Sequence, residues 1–371
     1  MAFMMSGGYF FIALALASSM WAQTGAAVPS LAPYDDFVTG LMKKYNIPGA
    51  SLALTQNGRL ILARGYGYVD TQKTAPVQPD SLFRIASLSK VITAVSIMKL
   101  VEEGKLNLDS PAFNMLPDLK PPSGSNPDTR LNRITIRHLL NHTGGWDRDK
   151  TPGGYDPMFI PNRVTSTLGV PSPPSTENII RYMLGQPLDF DPGTKSAYSN
   201  FGYAVLGRII ERVTGTSYEG WVRANILTPA GIVNMRIGQT LSQGQHAREV
   251  RYVGGVGAPS IFPDVPSPVD WAYGGWYLEA MDAHGGWYAS AIDYAKFLNA
   301  IDGRRGSRLL SAASVAALTE RPNLPEYQGT CCWYAMGLSV NMSNNWWHSG
   351  ALDGTATYQI RTDDGFVYVL C

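Results

Sequence analysis

The strand signals of this chain fall at its two ends, with helical patterns between them, and that arrangement constrains the fold most. Ser51–Gln56 and Arg59–Arg64 are apolar-rich runs joined by Asn57-Gly58, a dipeptide suited to the two positive-φ positions of a tight hairpin turn. Three more strand-like runs lie near the other end: Tyr334–Val340, Thr355–Arg361 and Phe366–Leu370, the last two joined by a turn at Asp363-Asp364-Gly365. Helical periodicity runs through 35–45, 87–103, 134–141, 176–184, 201–213, 217–227, 290–300 and 311–319. Together these predict an α/β (α+β) fold. A central antiparallel sheet forms from both termini and is flanked by helices, with a mainly helical region inserted. The sheet region is expected over 31–80 plus 286–371 and the helical region over 81–285, with the functional cleft between them.

With 45% apolar and 16% charged residues, 371 residues can bury a substantial core. The net charge of +1, from 30 basic against 29 acidic residues, gives no electrostatic reason to bind nucleic acid. Cys331, Cys332 and Cys371 are odd in number and two are adjacent, which is not a disulfide framework. Five scattered histidines show no His-Glu-x-x-His and no paired His/Cys spacing, so no metal and no cofactor is expected. Residues 8–20 are an apolar run of signal-peptide length, short for a membrane span, with small residues at Ala22, Gly25, Ala26 and Ala27. No Lys or Arg precedes it. The expectation is a signal peptide over 1–27 and an exported protein, periplasmic or secreted, without stable membrane association after cleavage. An uncleaved membrane anchor is the alternative.

Two stretches read as long irregular loops. Residues 146–175 are rich in Pro, Gly, Asp and Thr, and 251–288 interleave Gly and Pro with Trp271, Tyr273, Trp276, Tyr277, Trp287 and Tyr288. Long loops in a compact domain are usually functional. These aromatics either line a substrate pocket or pack the loop onto the body.

No Gly-x-Ser-x-Gly elbow is present, which disfavours an α/β-hydrolase. Ser-x-x-Lys occurs twice, as Ser87-Leu-Ser-Lys90 and Ser96-Ile-Met-Lys99. The spacing puts Lys one helical turn after Ser on the same face, where a neutral amine takes the hydroxyl proton. The two motifs are nine residues apart and face opposite sides of one helix. Ser87 stands at the helix start, where backbone N–H groups are available to an oxyanion; its other reading is a helix cap. Ser96 is mid-helix beside charged residues and reads as a tolerated helix serine. Tyr198-Ser-Asn200 follows a turn and enters a helix. His348-Ser-Gly350 lies on or just before a C-terminal strand, where Gly350 would let a substrate approach the backbone. His142, at a helix end, reads as satisfying backbone carbonyls.

Five blocks carry a resemblance: Phe83-Arg-Ile-Ala-Ser-Leu-Ser-Lys90, Leu100-Val-Glu-Glu-Gly-Lys-Leu-Asn-Leu-Asp109, Ile136-Arg-His-Leu-Leu-Asn-His-Thr-Gly-Gly145, Pro192-Gly-Thr-Lys-Ser-Ala-Tyr-Ser-Asn-Phe-Gly-Tyr203 and Gly285-Gly-Trp-Tyr-Ala-Ser-Ala-Ile-Asp-Tyr-Ala-Lys-Phe-Leu298. In this order they resemble the serine β-lactamase and penicillin-binding-protein superfamily, class C branch, from about residue 35 to the end. The resemblance implies that Ser87 forms an acyl-enzyme, that Lys90 and Tyr198 share the proton transfers, and that Asn200 binds substrate. It also implies an oxyanion hole from the backbone N–H groups of Ser87 and Ala351, on a strand that carries Ser349 and Gly350. His348 stands where the family's lactam-cleaving members carry Lys. This departure is similar to that of family VIII carboxylesterases and D-amino-acid peptidases or amidases. The implied activity is hydrolysis of small ester or amide substrates, with a β-lactamase or a slowly deacylating penicillin-binding protein as alternatives. With His348 as a weak, pH-dependent anchor, neutral or hydrophobic acyl groups are expected to be preferred. The family continues past the position of Cys371 with a further strand and a helix covering one sheet face, so an uncovered apolar face is expected here.

Overall fold

The computed structural model describes residues 22–150, 156–303 and 308–371. Eight strands form one antiparallel sheet: β1 (Gln23–Thr24), β2 (Gly49–Gln56), β3 (Arg59–Gly67), β4 (Cys332–Tyr334), β5 (Ser339–Asn341), β6 (Trp346–Leu352), β7 (Thr355–Arg361) and β8 (Phe366–Leu370). Their order is β1-β3-β2-β8-β7-β6-β5-β4. The two ends of the chain meet where β2 pairs with β8, with Leu52 opposite Leu370 and Gln56 opposite Phe366. Asn57 and Gly58 take φ of 49° and 74°, as the hairpin signal requires. The predicted architecture, a sheet built from both termini around inserted helices, is the observed one.

Alternation along the strands decides which helix covers which face. Leu52 and Leu54 of β2 and Leu62 and Tyr66 of β3 bury themselves with Val38 and Met42 of α1 (Ala32–Tyr45). On the other face, Ala53, Val367 and Val369 join the main core, where α8 packs across β2 and β8. The remaining helices are α2 (Ser89–Glu102), α3 (Ile136–Leu140), α4 (Pro161–Leu168), α5 (Thr176–Leu184), α6 (Asn200–Thr214), α7 (Tyr218–Val222), α8 (Ala291–Asp302) and α9 (Ala312–Thr319). Eleven of the 14 residues of α2 are buried, so it is a central helix without a solvent face. Packed on α6 in front and α9 behind, it is held from both sides. Each large apolar side chain buried there contributes about 1.5–3 kcal/mol, which fixes the helix on which the chemistry rests.

Two local expectations change. The run Tyr334–Val340 is not one strand: β4 and β5 flank a turn in which Gly337 has φ 78°. A Cβ at Gly337 would lie 2.9 Å from the Ala94 Cβ and 3.1 Å from the Lys90 carbonyl oxygen, so glycine lets this turn sit on α2. The stretch 146–175 contains α4, which starts at Pro161 and ends at a left-handed Gly169. The run at 8–20 lies outside the described residues. Gln23 and Thr24 pair with Tyr66 and Gly65, and Arg64 donates to Gln23 Oε1 (2.8 Å) and to the Gly25 carbonyl. Removing 1–27 would therefore strip β1 from the sheet.

Beside α1 a groove of about 800 Å3 opens on the outer sheet face, lined by Met42, Tyr45, Ala50, Ala356, Tyr358 and Leu370 among others. It holds none of the expected site residues. Among the described residues no helix is long and apolar enough to cross a membrane.

Candidate active site

Ser87 lies on a short 3-10 turn, Ala86–Leu88, that runs directly into α2. The turn is anchored on both sides. The Ile85 N–H donates to the Trp287 carbonyl (2.9 Å), and the hydroxyls of Thr355 and Thr357 donate to the carbonyls of Arg84 and Ile85 (3.0 Å each). Ala86 is held at φ 47°, a left-handed conformation costing a residue with a Cβ about 1–3 kcal/mol. Gly350 shares in this restraint: a Cβ there would meet the Ile85 carbonyl and lie 3.1 Å from the Ala86 Cβ. The backbone that approaches Gly350 is thus the one leading into the Ala86–Leu88 turn.

Lys90 Nζ is fully buried and has three neighbours: Asn200 Oδ1 at 2.6 Å, the His284 carbonyl at 2.8 Å and Ser87 Oγ at 3.1 Å. Burial holds its pKa well below the usual lysine value, against an opposing pull from Asp156 and with some help from Arg148. A neutral amine has two N–H bonds and one lone pair. Asn200 Oδ1 and the His284 carbonyl are acceptors only, so they take both N–H bonds. The lone pair is left for the Ser87 hydroxyl.

Asn200 opens α6, behind the Ser199 cap. Its amide nitrogen donates to Asp156 Oδ2 at 2.6 Å, and this fixes which end of the amide faces Lys90. Asn200 therefore bridges Lys90 and Asp156 while its edge lines the cleft. Asp156 also accepts from the Met158 N–H (3.0 Å), and burial pushes its pKa up. Tyr198, just before α6, lines the cleft with Ser87, and burial raises its pKa well above the usual phenol value, so it rests protonated. Lys90 Nζ is 4.7 Å from its ring centre and the Arg148 guanidinium 5.1 Å.

Along β6 the exposures alternate: His348 and Gly350 are buried, Ser349 and Ala351 exposed toward the cleft. His348 Nδ1 is 2.6 Å from the Ser349 carbonyl, which only accepts, so Nδ1 carries the proton; Nε2 then accepts from the Tyr334 hydroxyl at 3.0 Å. Burial, reinforced by Lys90, lowers the His348 pKa to about 3. The expected pH-dependent carboxylate anchor is corrected accordingly: both ring nitrogens are committed and the ring stays neutral.

These groups surround a cleft of about 360 Å3, lined by Ser87, Tyr198, Asn200, His348, Ser349 and Ala351 together with Arg148, Phe159 and His284. Ser96 is elsewhere: its hydroxyl is fully buried and donates to the Ile92 carbonyl (2.8 Å), so it sits in the core and not beside a solvated face. The aromatic stretch 271–288 packs on the body. Tyr273 and Trp276 stack near the buried Arg84, and Trp276 Nε1 donates to Asp353 (3.1 Å). His142 accepts from the Ser199 N–H (3.2 Å) and lays its ring 4.4 Å from Tyr198, where a role toward backbone carbonyls was expected. Sequence reading missed Asp156, Arg148, Tyr334 and the His284 carbonyl. Among the described residues, no cluster of three or more His, Cys, Asp or Glu could hold a metal ion.

Comparison with known proteins gives a consistent answer. The family profile described as Beta-lactamase matches residues 34–370. Protein flp of Staphylococcus aureus is 32% identical over 213 residues, 57% of this chain and 39% of that protein. Esterase EstB of Burkholderia gladioli is 32% identical over 196 residues, 52% of this chain and 47% of that protein. The chain thus aligns with less than half the length of either relative. The structure of D-amino acid amidase from Ochrobactrum anthropi SV3 complexed with D-phenylalanine matches with a TM-score of 0.67 at 24% identity, covering 91% of each chain, a likeness of fold. The family match takes in the nucleophile turn, the entry to α6 and strand β6 together, and the chain belongs to the Beta-lactamase family.

Proposed function

We propose that this protein is a serine hydrolase that cleaves ester or amide bonds through an acyl-enzyme on Ser87. The observation that carries the reading is the bonding of Lys90, whose two N–H bonds are taken by fixed acceptors so that its lone pair meets Ser87 Oγ. Ser87 Oγ attacks the substrate carbonyl carbon as its proton passes to Lys90. The backbone N–H groups of Ser87 and Ala351 receive the oxyanion. Tyr198 gives its proton to the leaving oxygen or nitrogen as that bond breaks. The phenoxide so formed lies near two cations, the new Lys90 ammonium and Arg148. Water then attacks the acyl-enzyme and returns a proton to Tyr198, while Lys90 returns its proton to Ser87. Each proton store is refilled, and the net reaction consumes one water.

Carboxylester or D-amino-acid amide hydrolysis is the leading reading and lactam turnover the alternative; His348 itself offers no fixed positive charge on β6. Export follows from the apolar run at 8–20. The test is burst kinetics with p-nitrophenyl esters and a chromogenic cephalosporin, together with fluorophosphonate labelling. Steady ester turnover and labelling that vanish in Ser87→Ala and persist in Ser96→Ala support the reading. A stoichiometric burst without turnover would reassign the protein as a slowly deacylating penicillin binder. Labelling that survives Ser87→Ala would remove the nucleophile.

A further inference from the structure

Among the described residues, the cleft is lined by one side chain that stays cationic in the resting site. Burial lowers the pKa of His348 and His284 in the lining and of Lys90 beneath it, and Arg148 remains. Its position is set from behind. Asp156 Oδ2 lies 3.8 Å from Nη1, an ion pair longer than a hydrogen bond, and the carboxylate spends its own bonds on Asn200 and the Met158 N–H. The guanidinium carbon sits over the Tyr198 ring at 5.1 Å. The side chain is 43% exposed and lines the cleft, so its N–H donors can meet a ligand there. Phe159, 39% exposed, lines the same space and offers an apolar surface to the rest of a ligand.

We propose that Arg148 is the specificity-determining residue of this cleft and that it selects ester or amide substrates bearing a free carboxylate, which its planar fork binds through paired N–H···O bonds. The proposal rests on the serine-hydrolase reading above and replaces the neutral-acyl preference expected from the sequence. That preference leaned on His348 as anchor and on aromatics of 271–288 as pocket walls. The structure puts the first in a closed hydrogen-bond pair, and of the second it places Tyr273 and Trp276 around Arg84 and Trp287 against Tyr218.

The test uses matched substrate pairs that differ by one carboxylate. Mono-(4-nitrophenyl) adipate against 4-nitrophenyl hexanoate places it on the acyl side; 4-acetoxybenzoate against its methyl ester places it on the leaving side. In the wild type, kcat/KM for the anionic member exceeds that for the neutral member in at least one pair. In Arg148→Gln that ratio falls at least about tenfold, the size of losing a charge-assisted hydrogen-bonded pair, and Arg148→Lys recovers part of it. A ratio that moves less than twofold in both pairs overturns the assignment. So does a wild-type preference for the neutral member in both pairs, which decides the matter even if Arg148→Gln does not fold. Fluorophosphonate labelling of Ser87, followed in parallel, reports on the serine-hydrolase reading separately: labelled protein with an unmoved ratio sinks Arg148 alone.

Discussion

Arg84 and Lys90 are six positions apart, on either side of Ser87, and both are fully buried, yet their surroundings are opposite in kind. Arg84 has a carboxylate, Glu249, at 3.6 Å. It donates to the carbonyls of Ala272, Gln239 and Thr240 and stands over the ring of Tyr252 at 4.3 Å. Lys90 touches no carboxylate; Asp156 reaches it only through the Asn200 amide. A buried guanidinium keeps its charge and must be matched by partners. A buried amine left unmatched discards its proton instead. The comparison teaches where this site stores its reactivity: a carboxylate is supplied to the buried guanidinium and withheld from the buried amine.

Replacing each cation by methionine is the sharpest way to break that comparison. Lys90→Met removes the proton acceptor, and kcat falls about 10³-fold or more in ester hydrolysis; activity within tenfold of wild type would mean that another base takes the Ser87 proton. Arg84→Met leaves Glu249 buried without its partner and lowers unfolding free energy by about 3–5 kcal/mol, read from denaturant titration; a neutral effect would show that the aromatic and carbonyl shell tolerates the loss. Tyr198→Phe keeps the packing and deletes one proton, lowering kcat about 10²-fold with a smaller change in KM. The same Lys90→Met protein is expected to be the more stable one. Lys90 is protonated in the unfolded chain up to about pH 10.4 and its pKa falls on folding, so below that pH the unfolded state binds more protons and wild-type stability rises with pH. The Tm of Lys90→Met should exceed wild type by a few degrees at pH 7.5, with the gap closing toward pH 10. The smallest effect concerns His348, whose pKa near 3 leaves it neutral throughout the working range. Benzylpenicillin KM should change less than twofold between pH 8 and 5.5, where a titrating anchor would have lowered it.

Much of this was readable from residue order because it is local. The Ser87/Lys90 spacing is a property of one helical turn, Asn57-Gly58 of one hairpin and Tyr198-Ser-Asn200 of one helix entry. What stayed hidden depends on contacts between distant segments. Asp156 and Arg148 sit in a stretch without periodicity, and only the fold shows that the amide of Asn200, 44 positions on from Asp156, joins that carboxylate to Lys90. The tautomer of His348 follows from the Ser349 carbonyl, and its second nitrogen meets the hydroxyl of Tyr334 two strands away on β4, a residue misread as part of one longer strand. The His284 carbonyl has no sequence signal, since every residue offers one. α4 was legible in retrospect: Pro161 opens it and Gly169 closes it.

The pairing of β2 with β8 also has a consequence in time. Leu52 waits for Leu370, and strand β6, which sits against the nucleophile turn, is made shortly before β8. At roughly 5–20 residues per second, about 300 residues separate the synthesis of the two partners by some 15–60 s. Throughout that interval the open edge of β2 is a template for any passing strand. The nascent chain therefore carries Ser87, Lys90 and Tyr198 long before it has Ala351, and on the acyl-enzyme reading proposed above a ribosome-bound polypeptide halted short of β6 should be catalytically silent.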